Sequence, residues 1–254
     1  MFRASHFRLN MFQQCPRQYK FHYIDDLKNV FRKARPYLTM GDHVHAALKD
    51  FFSVVPVSER SPSKLEGLLR EKWRRNRSGF SDIEDEKKWA EKALKQLSWF
   101  ARSQDVAVIP IMVEDYHRVE LSVDITLIGK IDRIDKEADY GLHIIDYKTG
   151  KIPAEIDQTQ LHIYALILSK EQSLPVNKAS YLYLEAGEFR TLEPTAADLD
   201  HATSYIIDLV DRIRMEREYP AILNNYCGTC DFLEICPKKE EAVKLTASED
   251  ELDF

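Results

Sequence analysis

Two short segments limit the fold more than anything else in the chain: Gly129-Lys130-Ile131-Asp132-Arg133-Ile134-Asp135 and His143-Ile144-Ile145-Asp146-Tyr147-Lys148-Thr149-Gly150. Both are β-branched runs that carry charge at one end, and Asp139–Gly141 between them reads as a hairpin turn. The two are therefore expected to be adjacent strands. Alternation along a strand puts Asp146 and Lys148 on one face and Tyr147 on the other. Asp132 then stands beside Asp146, and two carboxylates that close repel each other unless a cation lies between them. Mg²⁺ or Mn²⁺ with an ammonium group nearby is what hydrolysis of a phosphodiester needs. A solvent-facing hairpin with surface ion pairs is the plainer reading of either segment alone; the two together favour a site.

The rest of the chain supplies further elements. Ser5–Tyr23 is expected to form helical turns interrupted at Pro16, and Met40, Val44, Leu48 and Phe51 predict a helix over 39–52 that starts at Thr39 or Asp42 and ends before Pro56. Helices are also predicted over 63–75, 84–102, 156–169 and 196–217. Strands are predicted over 106–117, 119–127, 129–136 and 142–146 as an antiparallel meander, with another over 179–184. The expected fold is α+β, a mixed sheet flanked by helices. Residues 1–240 are expected to form one domain with a helical insertion at about 55–104, and 241–254 an acidic, disordered tail.

No window approaches the length of apolar sequence that a membrane span needs, and the first residues lack the pattern of a signal peptide, so a cytoplasmic protein is expected. The net charge of -6 hides an asymmetry: residues 1–80 hold sixteen Lys/Arg against seven Asp/Glu, and residues 81–254 twenty against thirty-five. A local basic field rather than total charge governs phosphate binding. Arg32, Lys33, Arg35, Arg74, Arg75 and Arg77 are the candidates, with a solvated helix face as the alternative.

Two more positions qualify for the site. His45, in Gly41-Asp42-His43-Val44-His45, lies beside the apolar stripe of its helix, where an imidazole is able to serve as a metal ligand. Gln160 and Tyr164 share a helix face four residues apart and are expected to contact phosphate or orient the lysine. The four cysteines, Cys15 and then Cys227, Cys230 and Cys236, sit beside turn-forming residues. Four thiolates in a reducing compartment imply structural zinc or an iron–sulfur cluster, and their chemistry leaves both open.

Gly41–His45, Gly129–Asp135, Asp146–Gly150 and Gln160–Tyr164 resemble, in order, the GxxxH, GxxDRxD, DYKTG and QxxxY motifs of the RecB-like branch of PD-(D/E)xK nucleases. The resemblance spans Ser5 to Pro237. It implies a restriction-endonuclease-like core, a metal held by His45, Asp132, Asp146 and the Tyr147 carbonyl, and Lys148 as catalytic lysine. Glu114 resembles a further acidic position of the family, in competition with Glu120. The cysteine spacing and Cys15-Pro16 are similar to the [4Fe–4S] clasp of AddB-type and CRISPR-adaptation nucleases, which implies a cluster that closes a loop of more than two hundred residues. The activity implied is that of a Mg²⁺- or Mn²⁺-dependent exonuclease on single-stranded or end-bearing DNA, in repair or recombination. A helicase is a further expected partner. The alternatives are a CRISPR spacer-acquisition nuclease, with CRISPR-adaptation proteins as partners, and a non-catalytic DNA-binding module. The gap of eighty-six residues between His45 and Asp132 resembles free-standing RecB-family exonucleases more than the CRISPR enzymes.

Overall fold

A computed structural model describes residues 1–137 and 140–247. After a short strand β1 (Phe2–Ala4), the Ser5 hydroxyl accepts from the Arg8 N–H at 3.2 Å and starts helix α1 (His6–Gln14). Pro16 forbids its continuation, because the residue before a proline is driven out of the helical region. Cys15 is accordingly extended (φ -161°, ψ 104°), and Pro16 opens a new short helix, α2 (Pro16–Tyr19), followed by a π-helical turn and α3 (Lys28–Phe31). Pro36 likewise sets the start of α4 (Pro36–Ser53), one turn before the expected one. Thr39 does not cap that helix; its hydroxyl donates to the Ser78 carbonyl at 2.8 Å. Ser61 caps α5 (Pro62–Arg75) and Asp82 caps α6 (Ile83–Ser103), whose first turn is acidic as the helix dipole favours.

The strands are β2 (Met112–Ser122), β3 (Ile125–Glu137) and β4 (Gly141–Lys148); after α7 (Thr159–Glu171) come β5 (Val176–Tyr183) and β6 (Glu188–Leu192). Helices α8 (Ala196–Met215) and α9 (Lys239–Ala247) complete the described chain. It divides into two units, one of residues 1–33 with the residues from 204 on and one of Ala34–Thr203. Part of the expected tail, residues 241–247, belongs to α9; residues 248–254 lie outside the described residues, as does Asp139 of the expected turn.

In the Ala34–Thr203 unit the strands run in the order β2-β3-β4-β5-β6. The antiparallel meander holds for β2, β3 and β4, while β5 lies parallel to β4, reached through α7, and β6 is a strand the sequence did not announce. The mixed sheet with helices on it is the expected α+β class. The predicted strand 119–127 straddles the turn between β2 and β3, while 129–136 falls inside β3. Residues 106–111 are not strand, because the Arg60 guanidinium takes the carbonyls of Val106 and Val108 at 2.9 and 2.7 Å and that of Phe52 at 3.0 Å. Ile145, Tyr147, Leu182 and Leu184 pack with apolar residues of α4, α5 and α6 in one core cluster.

Helix α7 packs on β3 at Gly129. A Cβ there would come within 2.8 Å of Ile167 Cδ1 and 3.1 Å of the Tyr164 ring, so glycine marks close approach of helix and strand rather than a turn. Gly129→Val is expected to lower unfolding free energy by about 1–3 kcal/mol through overpacking. Ile167→Val, which deletes Cδ1, should recover part of that loss; urea denaturation of the single and double variants checks both.

Candidate active site

The site lies where the β3–β4 ladder ends, while β3 stays paired with β2 and β4 with β5. Backbone pairing reaches Arg133 opposite Ile145. One residue further, the Tyr147 N–H donates to Asp132 Oδ2 at 2.8 Å. That bond leaves Asp132 Oδ1 free to meet His45 Nδ1 at 3.2 Å. His45 is delivered by α4, on the turn after Gly41.

Asp146 is buried beside this pair. Burial, then the nearby Asp132 charge, push its carboxyl up to about 6 despite the Lys148 ammonium 2.7 Å from Oδ2. Gln160 accepts from Lys148 Nζ at 2.8 Å, while its amide nitrogen lies 3.0 Å from Asp146 Oδ1 and 2.8 Å from the Tyr164 hydroxyl. Gln160 thus touches both the lysine and the carboxylate, and Tyr164 touches Gln160. Lys148 Nζ also stands 4.6 Å from the Tyr181 ring centre. Tyr147 turns its ring to the opposite side, edge-on to Phe100 at 5.8 Å, as strand alternation requires.

Glu114 wins over Glu120. It is 7% exposed with Oε1 3.4 Å from His45 Nδ1, and it pairs with Lys130, whereas Glu120 is an exposed residue facing Thr126. The decisive signal is register: Val113 faces Arg133 and Asp115 faces Ile131, which sets Glu114 across from Asp132. Its φ of 56° is rare for a side-chain-bearing residue and costs on the order of 1–3 kcal/mol. Burial opposes the Glu114 charge, but His45 and Lys130 hold its carboxyl down at about 2.

His45, Glu114 and Asp132 are the one group, among the described residues, whose ligand atoms lie within 4.8 Å of one another. Burial disfavours a charged His45, yet Asp132, Glu114 and Asp146 outweigh it and raise the imidazole to about 10. So much negative charge around one nitrogen is an electrostatic demand for a cation, and one nitrogen with hard oxygens suits Mg²⁺ or Mn²⁺.

Arg133 and Asp135, in the same segment as Asp132, are structural. The guanidinium meets the carboxylate at 2.8 and 2.5 Å, and both are buried. His43 is buried too, bonded to the Asn76 carbonyl at 2.8 Å. Arg32 and Lys33 follow α3, and Arg35 precedes α4. Arg75 pairs with Glu71, and Arg77 pairs with Glu86 at 2.7 Å; Arg74 and Arg77 line a cleft of about 580 Å³ between α5 and α6.

In the other unit, Cys15, Cys227, Cys230 and Cys236 line one cavity of about 30 Å³ and form no disulfide. The Asn224 side chain donates to the Gln14 carbonyl at 3.0 Å, and the Arg17 N–H to the Pro220 carbonyl at 3.2 Å, which ties the two cysteine-bearing segments together. Burial pushes the Cys230 thiol up to about 11. The sulfurs do not meet the 4.8 Å spacing of the His45 group.

Residues 3–237 match the family model of the PD-(D/E)XK nuclease superfamily. The chain belongs to that superfamily. No curated protein matches its sequence. A crystal structure of a candidate exonuclease from Eubacterium rectale is similar at TM-score 0.56 and 13% identity, over 93% of this chain and 86% of that one, a likeness of fold. The structure of SSO0001 aligns at TM-score 0.39 and 18% identity over 80% of this chain and 95% of that one, too low to add to the argument.

Asp135→Ala is expected to destabilise the protein by about 3–5 kcal/mol, because it strands a buried guanidinium. The pair Arg133→Met with Asp135→Leu should cost less than the single change, read from denaturation midpoints.

Proposed function

We propose that the protein is a divalent-metal-dependent deoxyribonuclease that hydrolyses phosphodiester bonds at the site formed by Asp132, Asp146 and Lys148. The carrying observation is the Lys148 ammonium at 2.7 Å from Asp146, with Asp132 bonded at 2.8 Å to the intervening Tyr147 N–H and His45 behind it. His45, Asp132, Asp146 and the Tyr147 carbonyl, with Glu114 beside them, would hold Mg²⁺ or Mn²⁺. When bound, such an ion neutralises phosphate charge and acidifies water.

The chain's own groups do the positioning. Gln160 bridges Lys148 and Asp146 and so fixes the ammonium where a phosphoryl oxygen gathers charge in the transition state. Tyr164 holds the Gln160 amide from behind. The Tyr181 ring shields one side of the lysine from water. Lys130 keeps Glu114 ionised.

Several finer features belong to this reading. The motif resemblance supports a RecB-like enzyme. The family resemblance, with the fold shared with a candidate exonuclease, supports exonucleolytic action on single-stranded or end-bearing DNA in repair or recombination. Arg32, Lys33, Arg35, Arg74, Arg75 and Arg77 are candidate phosphate contacts, though Arg75 and Arg77 must first leave their carboxylates. The shared cavity of the four cysteines supports a [4Fe–4S] centre that ties Cys15 to the Cys227–Cys236 segment; structural zinc is the other group such thiols hold.

With Mn²⁺ or Mg²⁺ and strands labelled at the 5′ or 3′ end, Asp146→Ala and Lys148→Ala are each expected to lose about 10²–10⁴-fold in cleavage rate. DNA binding by Lys148→Ala should persist. Near-wild-type cleavage by either variant overturns the assignment. For the cysteines, protein purified without oxygen should carry iron and sulfide, and Cys230→Ala should lose both and melt at lower temperature. Stoichiometric zinc without iron would replace the cluster and leave the nuclease reading intact.

A further inference from the structure

A second pocket opens close to Lys148. It has a volume of about 410 Å³ and is walled by α6 on one side and by Leu184–Gly187, the turn between β5 and β6, on the other. Two independent bonds connect it to the end of β4. The Leu184 N–H donates to the Lys148 carbonyl at 2.9 Å, and the Gln96 side chain donates to the Thr149 carbonyl at 2.9 Å.

Its chemistry comes from one face of α6. Lys88, Lys92, Lys95 and Trp99 recur at helical spacing of four, three and four residues and so form a single stripe. Lys92 is occupied by Glu185 at 2.8 Å. Lys88 and Lys95 make no ion pair among the described residues, and Glu91 is the one other acid on the wall. Trp99 is partly buried and held by Gly187: a Cβ at that residue would meet the indole at 2.7 Å, and its φ of 73° also favours glycine. The indole is thus fixed against the turn as part of the wall.

Gln96 supplies the last feature. The side chain is 3% exposed, and its Nε2 is committed to the Thr149 carbonyl, which fixes the amide orientation. Oε1 is left buried without a donor. That oxygen is closed off from the pocket, so Gln96 serves here as a tie between α6 and Thr149.

Free ammonium groups beside an aromatic wall match a nucleotide, which brings phosphate and a π face. An acidic peptide offers the charge without the planar base. Position agrees, because the Leu184 and Gln96 bonds set the pocket beside the end of β4, the strand that carries Lys148. We infer that this pocket receives a nucleotide of the substrate strand adjacent to the scissile phosphate, with Lys88 and Lys95 against phosphate and Trp99 against the base. The inference rests on the nuclease reading for what passes Lys148, but the pocket is testable without cleavage.

The test is equilibrium binding of a fluorescent single-stranded oligodeoxynucleotide in EDTA across a salt series. Lys88→Ala/Lys95→Ala is expected to weaken binding about tenfold near 0.1 M salt and to reduce the salt slope by about 1.4, the value for two lost single-strand phosphate contacts. Lys49→Ala/Lys170→Ala, which removes two exposed lysines outside the pocket, should change neither. Trp99→Phe should retain more affinity than Trp99→Leu at equal thermal stability. In cleavage assays the pocket pair should raise KM and leave kcat unchanged. If both lysine pairs weaken binding equally, if the pocket pair binds like wild type, or if the wild type binds no oligonucleotide, the pocket assignment is wrong. If the pocket pair alone weakens binding but the wild type cleaves nothing, the pocket stands and the nuclease reading falls.

Discussion

The bond from the Tyr147 N–H to the Asp132 carboxylate, at 2.8 Å, is the joint on which the site depends. It occurs where a ladder would place a backbone carbonyl, so a side chain ends the β3–β4 pairing and is immobilised by doing so. One oxygen of Asp132 satisfies the backbone and the other is turned to His45. Since β4 continues only to Lys148, the same bond sets Asp146 and Lys148 relative to Asp132. A buried N–H left without an acceptor is expensive, so the backbone itself enforces the geometry of an otherwise repulsive carboxylate pair. That repulsion shows in Asp146, whose carboxyl is pushed up by burial and by Asp132.

What was legible in the sequence follows from which interactions are local. Alternation alone sorted Tyr147 from Asp146 and Lys148, because a strand's period is set by its own backbone. Helical spacing was enough to unite Gln160 with Tyr164. Long-range packing was not legible. Gly129 reads as the first residue of a strand, yet it lies inside β3, where Ile167 and Tyr164 approach from α7. Arg60 withdrew Val106 and Val108 from the sheet through bonds to their carbonyls, which no pattern in 106–111 records. Glu114 and Glu120 were indistinguishable until the β2–β3 register was known. Arg75 and Arg77 read as free charge, and the structure gives them Glu71 and Glu86.

The segment around Asp132 also shows that one motif can mix two kinds of demand. Asp132 faces a site that wants a cation, while Arg133 and Asp135 satisfy each other in the protein interior at 2.8 and 2.5 Å. The Arg133 guanidinium stands 4.4 Å from the Phe52 ring centre of α4, the helix that carries His45. Charged residues of one short segment are thus divided, with Arg133 and Asp135 paired in the interior and Asp132 turned to His45.

The unit that holds the cysteines is assembled from the two ends of the described chain, with Ala34–Thr203 inserted between them. During synthesis the first thirty-three residues emerge long before Ser204 and the three later cysteines do. The inserted unit carries its own core cluster and has every one of its residues available before translation reaches Cys227. The order of folding is therefore written into the connectivity, with the local unit able to close first and the non-local one obliged to wait. A ribosome that stops between the two has already delivered His45, Asp132, Asp146 and Lys148, but Cys15 without its companions.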